Sequence, residues 1–94
     1  MEQFEYARKK AMELFHQENY ILADHTLERM IERDVYFEDI ESVLRSGSFY
    51  KQELDKYGDI RYSMRGGDSE NKSIRITFIV KENLIIITVI REQE

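Results

Sequence analysis

The chain has neither cysteine nor proline among its 94 residues. The first absence excludes disulfides, thiolate metal sites and cysteine nucleophiles. The second, together with the lack of repeats or low-complexity segments, leaves one plan of elements running uninterrupted from end to end. Long apolar runs are missing too. The longest, Leu84 to Ile90, is far short of a membrane span, and Glu2 and Glu5 stand where a secretory leader carries positive charge. The expectation is a cytoplasmic protein with no membrane contact. A hydrophobic content of 41% suffices for one small domain, 1–94, with a single core and no structural metal.

A positive balance is also lacking. The net charge of −5 argues against a general nucleic-acid coat, because Lys and Arg dominate phosphate binding. The average hides an asymmetry: residues 1–45 hold 11 acids against 6 bases, whereas residues 46–94 hold 8 of each. Between Arg61 and Lys81 five bases (Arg61, Arg65, Lys72, Arg75, Lys81) face two acids (Asp68, Glu70), a local excess suited to an anion.

What is present sorts by periodicity. Phe4, Ala7, Ala11, Leu14 and Phe15 recur at helical spacing and predict an amphipathic helix over 3–17, read as a core helix. Tyr20-Ile21-Leu22 suits an edge strand. Asp24 is placed to cap a helix over 25–33 that buries Leu27, Met30 and Ile31. A third helix over 37–46 follows from Glu38 and Asp39 in its first turn, apolar Ile40, Val43 and Leu44, and Gly47 at its stop. From Ser48 the period changes to two, predicting strands at 49–53 and 60–66, a polar loop at 66–71, and a hairpin over 74–91 turning at Glu82-Asn83.

With a two-residue turn, Val80 faces Ile85, Phe78 faces Ile87 and Ile76 faces Val89 on the core side. Placing Met64 opposite Ile74 and Tyr62 opposite Ile76 then sends Arg61, Ser63, Arg65, Arg75, Thr77 and Thr88 to the other face. Guanidinium groups so gathered repel one another unless an anion or carboxylate lies between them, and their forks match phosphate. The plainer reading is arginines that pair with acids or extend into solvent from an open sheet. The Thr77 and Thr88 pair reads most simply as cross-strand packing.

His25, Arg29 and Arg33, four residues apart, share one stripe of the second helix. A histidine among arginines is suited to proton transfer in phosphoryl chemistry, against the plainer role of solvating a helix end. His16 reads as helix-end electrostatics. There is no phosphate loop, nucleophile elbow or zinc-peptidase motif, and the adjacent Asp24 and His25 lack metal-ligand spacing.

The run Tyr-Ile-Leu-Ala-Asp-His-Thr-Leu-Glu-Arg-Met-Ile-Glu-Arg-Asp-Val from Tyr20 to Val35 is followed by Glu38-Asp39-Ile40, Val43-Leu44 and Gly47. With the closing Ile-Ile-Thr-Val-Ile-Arg at 86–91, it resembles domain-of-unknown-function family 4258. The resemblance covers about 20–91 and leaves 1–19 as a helical extension. That family is small, bacterial and archaeal, often encoded beside an antitoxin-like gene. It looks like a distant relative of RelE, HigB and MqsR type toxins, metal-independent ribonucleases on a small helix-plus-sheet fold. The family's helix motif falls on His25, Arg29, Met30 and Arg33, and its closing strand motif on Thr88 and Arg91. Two departures stand out: Arg75 occupies a strand position where the family often has histidine, and the chain is acidic where such toxins are basic.

The resulting expectation is an α+β, RelE-like domain, with N-terminal helices packed on one face of a three- to four-stranded antiparallel sheet. Function is expected to be that of a toxin-like, metal-independent RNA endonuclease without cofactor, with an antitoxin-like protein and RNA as partners and a homodimer compatible with the reading. His25 and Arg75 are its candidate catalytic residues, and Arg29, Arg33, Arg61, Arg65, Thr77, Thr88 and Arg91 its candidate substrate contacts. Tyr62 is an alternative base only if its hydroxyl emerges from the core face. The alternatives are a non-catalytic protein-interaction module and an anion-binding domain derived from the same fold.

Overall fold

A computed structural model describes residues 2–68 and 70–92, which form three helices and five strands. Helix α1 (Glu2–His16) buries Phe4, Ala7, Ala11 and Leu14, as the spacing predicts, and its acidic first turn and terminal histidine suit the helix dipole. Strand β1 (Tyr20–Leu22) leads to α2 (Thr26–Glu32) and α3 (Phe37–Ser46). The sheet then continues through β2 (Ser48–Leu54), β3 (Ile60–Gly67), β4 (Ser73–Val80) and β5 (Leu84–Arg91). Within the expected 66–71 loop, Gly66 and Gly67 belong to β3, and Ser69 lies outside the described residues.

The α+β layering is as expected, with the helices on one side of the sheet, but the sheet itself is larger and mixed. Its order is β1-β5-β4-β3-β2, and the edge strand β1 runs parallel to β5, pairing Tyr20 to Leu22 with Leu84 to Ile86. The antiparallel expectation failed there because α1 delivers the chain to the far edge, beside the last strand rather than the next one.

Two registers also differ from the reading by alternation. The hairpin loop has three residues, 81–83, so Val80 pairs with Leu84 and Phe78 with Ile86. A bulge beyond Thr77 and Phe78 absorbs the extra residue, and Ile76 still meets Val89. Leu84 and Ile86 consequently fill core positions assigned to Ile85 and Ile87. Between β3 and β4 the shift is two residues: Tyr62 faces Phe78, Met64 faces Ile76 and Arg65 faces Arg75. A shift of two preserves every side chain's face, so Tyr62, Met64, Ile74, Ile76 and Phe78 still enter the core.

Helix α3 has the predicted bounds. The Tyr36 amide donates to the Asp39 carboxylate at 2.9 Å, closing its first turn. At its other end Gly47 is required by space: an added Cβ would lie 2.5 Å from the Val43 carbonyl oxygen and 2.7 Å from that of Arg65.

Helix α2 departs most from expectation. It begins at Thr26, with His25 rather than Asp24 at the N-cap, and only Thr26 and Met30 turn inward. Leu27 is 49% and Ile31 70% exposed. The helix lies along the edge of β5 instead of across the sheet, so about one residue per turn reaches the core.

Candidate functional site

Beyond β1 the outer edge of β5 has no strand partner, and the α2 segment closes it with side chains. The Ala23 amide donates to the Ile86 carbonyl at 2.9 Å, completing the short parallel pairing. The buried Thr26 hydroxyl then donates to the Ile87 carbonyl at 2.9 Å, and Arg33 Nη1 donates to the Val89 carbonyl at 2.7 Å. An exposed strand edge is thereby blocked against further pairing. The physical consequence is a groove of about 210 Å³ between α2 and β5, lined by His25, Arg29, Arg33 and Thr88 among others. Four residues of the helix and closing-strand motifs, distant in sequence, share one concavity.

Within the groove the groups differ in how firmly they are committed. Arg33 is tied to the strand. Arg29 is exposed and has neither ion pair nor side-chain hydrogen bond among the described residues. His25 is also exposed, with Nδ1 3.3 Å from a Glu28 carboxylate oxygen. A ring that donates Nδ1–H to Glu28 leaves Nε2 as an acceptor. The His25 backbone is left-handed, at φ 67°, a conformation with a modest cost for a residue bearing Cβ. The Thr26 amide bonded to the Ala23 carbonyl and the Arg29 amide bonded to the His25 carbonyl hold that turn.

Arg91 sits on the helix side of the sheet, opposite Ile74, and serves as a clasp. Its Nε donates to the Arg33 carbonyl at 2.9 Å, Nη2 to the Asp34 carbonyl at 2.9 Å, and Nη1 to the Asp68 carboxylate at 2.6 Å. With the Lys72 and Glu70 amides also donating to it, Asp68 has its pKa lowered to about 2, the Arg91 bond being the largest cause. Arg91, Arg33 and Asp68 line an adjoining cavity of about 610 Å³ whose wall is mostly acidic, including Glu32, Asp34, Asp39 and Glu70.

The open face of the sheet holds the other cations. Arg61, Arg65 and Arg75 do share that face, yet each meets a carboxylate. Arg65 grips Glu92 with two bonds, 2.8 and 3.1 Å, while Arg75 reaches the same carboxylate at 3.6 Å. This pairing holds Glu92 below and Arg65 above their ordinary pKa values. Arg61 Nε lies 3.3 Å from Asp55, a carboxylate whose pKa is lowered chiefly by the Asp59 amide. The Tyr50 ring lies under both guanidiniums, 4.8 Å from Arg65 and 4.9 Å from Arg75. Thr77 accepts or donates a 2.8 Å bond with Ser63. Arg75 therefore belongs to a paired cluster and does not line the His25 groove.

Tyr62 is buried between Phe4 and Phe78, burial raises its pKa, and the hollow it lines with Tyr6 and Asp59 shares no residue with the His25 groove, so it is not placed as an alternative base there. His16 bonds Glu41 at 2.8 Å, which lowers that carboxylate's pKa. Alternation missed Tyr50 because it stands at the β2 bulge between Phe49 and Lys51, where period two breaks. Glu28 was legible as the i+3 neighbour of His25; Glu92 and Asp68 carried no local signal. Among the described residues no three His, Asp or Glu side chains are placed to hold a metal, and no helix is long and apolar enough to cross a membrane.

No curated protein and no solved structure matches the chain significantly. A family profile described as domain of unknown function (DUF4258) matches residues 22–91, from the end of β1 through the last residue of β5. That span contains α2, the groove and the Arg91 clasp, and it omits α1 and the first two residues of β1. The chain belongs to the DUF4258 family.

Proposed function

We propose that the α2–β5 groove binds an RNA phosphodiester and that the chain is a metal-independent endoribonuclease of the toxin type. The observation that carries this reading is the groove itself: a histidine oriented by a carboxylate beside an uncommitted arginine, on a concave edge open to a polymer.

In this reading His25 Nε2 takes the proton from a ribose 2′-hydroxyl, and the 2′-oxygen attacks the adjacent phosphorus. The bond to the 5′-oxygen breaks, leaving a 2′,3′-cyclic phosphate, and the departing oxygen is protonated from water in the open groove. Arg29 holds the non-bridging oxygens as their charge grows, and Arg33 fixes the wall against which the phosphate sits. Glu28 keeps the imidazole turned through its contact with Nδ1. Arg75, expected to be catalytic, and the expected contacts Arg61, Arg65 and Thr77 then serve the sheet rather than the reacting phosphate.

Single-stranded RNA incubated with the protein in excess chelator tests the proposal. Cleavage leaving cyclic phosphate ends is expected, and His25→Ala is expected to lower the rate by about 10²–10⁴-fold. Absent cleavage, or cleavage unchanged in His25→Ala, removes the enzyme reading. A second reading, anion binding without catalysis, is favoured by Arg75, which is paired with Glu92 on the open face and does not line the His25 groove. It predicts RNA binding that depends on Arg29 with no product formed.

A further inference from the structure

The residues that helical spacing assigned to the core of α2, and that the fold left outside it, form a surface of their own. Around the helix, Thr26 and Met30 face inward, His25, Arg29 and Arg33 line the groove along β5, and Glu28 and Glu32 form the outer crest. Leu27 and Ile31 occupy the remaining flank. There they join Tyr36 and Phe37, at the start of α3, around a groove of about 290 Å³. Leu27 is 49% exposed, Ile31 70%, Tyr36 61% and Phe37 37%. Scattered exposed apolar residues are ordinary, but four large ones around one concavity mark an interaction surface.

The charge around it restricts the occupant. Asp34 and Glu38 line the apolar groove. Glu38 stands in the first turn of α3, where the helix dipole accounts for its sign. Glu32 and Asp34 stand at the other kind of helix end. Glu32 closes α2 and Asp34 lies two residues beyond it, where the Arg91 guanidinium donates to the Arg33 and Asp34 carbonyls. Neither forms an ion pair among the described residues, nor does Glu38. Folding thus leaves four large apolar side chains uncovered beside two carboxylates, Asp34 and Glu38, that form no ion pair among the described residues.

We infer that the α2–α3 groove docks a basic amphipathic helix of a protein partner. Apolar side chains of the incoming helix, spaced i, i+3, i+4 and i+7, seat between Leu27 and Ile31 on one side and Tyr36 and Phe37 on the other. Flanking Lys or Arg residues meet Asp34 and Glu38. A second copy of this chain bound through the same surface would set those carboxylates against their own counterparts, which opposes a symmetric self-contact. The surface lies on the opposite flank of α2 from Arg29 and Arg33, so this inference does not depend on ribonuclease activity.

The test uses the full chain and a synthetic helical peptide of leucine and lysine, with leucines at the stated spacing, and a matched peptide carrying glutamate for lysine. Backbone amide NMR shifts caused by the lysine peptide are expected to concentrate on α2 and the start of α3, with the glutamate peptide inert. Ile31→Ser, at a site too exposed to disturb folding, is expected to weaken binding about tenfold, and Asp34→Lys combined with Glu38→Lys by at least as much. Three outcomes overturn the inference: no binding of the lysine peptide, shifts spread over the acidic surface and indifferent to Ile31→Ser, or self-association of the chain through these same residues.

Discussion

Two regions of this molecule carry arginine in similar density and use it in opposite ways. On the open face of the sheet, Arg65 and Arg75 stand opposite each other in register, and that unfavourable adjacency is resolved internally by Glu92 and the Tyr50 ring. In the α2–β5 groove, Arg33 is spent on a strand carbonyl, whereas among the described residues Arg29 has no ion-pair or side-chain hydrogen-bond partner and His25 has only an exposed glutamate. The count of cations along a sequence therefore says little about where an anion binds. What matters is which guanidiniums the tertiary structure leaves without a carboxylate, because a paired arginine must lose one anion before it gains another.

The sharpest way to break this comparison is to exchange the expected roles. Arg29→Ala is expected to reduce RNA cleavage about a hundredfold, the scale of removing one donor to developing charge. Arg75→Ala is expected to change it within about threefold, as for an exposed paired charge. Equal losses measured in the same chelator-treated assay would erase the distinction between the regions.

A smaller effect concerns the framework. Thr26→Val keeps the shape of a buried side chain but leaves the Ile87 carbonyl without its donor. Urea unfolding is expected to show a loss of about 1–3 kcal/mol. The loosened edge should also weaken RNA binding in the groove while leaving the Arg65 and Tyr50 resonances unmoved.

Glu92→Gln sharpens the comparison from the other side. Removing the carboxylate charge that Arg65 and Arg75 share is expected to raise the affinity of the open face for inorganic phosphate a few-fold, about the strength of a screened surface pair. Phosphate titration followed through the Tyr50 and Arg65 signals reads this directly. Shifts already present at full strength in the unaltered chain would mean that Glu92 does not occupy the site.

The smallest effect is in acid. Asp68 titrates at about 2 in the folded chain, below an unfolded carboxylate, so its contribution to stability is complete above about pH 4 and declines as pH falls through its folded value. Glu92 and Asp55 are lowered as well and act in the same direction. Thermal midpoints measured from neutral pH down to about pH 2 are expected to fall less steeply in Asp68→Asn than in the unaltered chain. Glu92→Gln should flatten the curve less than Asp68→Asn does.

Much of the fold was legible from spacing. The third helix has the bounds its sequence implies, α1 buries four of the five residues assigned to it, and Tyr62, Met64, Ile74, Ile76 and Phe78 of β3 and β4 enter the core as placed. The site was legible only in pieces. The stripe of His25, Arg29 and Arg33 follows from the helical repeat, but its meeting with Thr88 depends on α2 lying along β5. Misassigning Leu27 and Ile31 has a definite cause. Periodicity reports that a helix has an apolar side, and it does not report whether the helix lies flat on a sheet or along its edge.

By itself, the sequence determined what is encoded by neighbours: the helical and two-residue periods, the inward set of side chains, the acidic helical half and the family motif. Tertiary structure decided the register, the parallel edge strand and the pairing of the arginines. The physical reason is a symmetry of the β-strand. Sliding one strand past another by two residues leaves each side chain on its own face, so alternation is blind to it. That slide nevertheless sets Arg65 rather than Ser63 opposite Arg75, and the folded chain brings Glu92 between the two arginines.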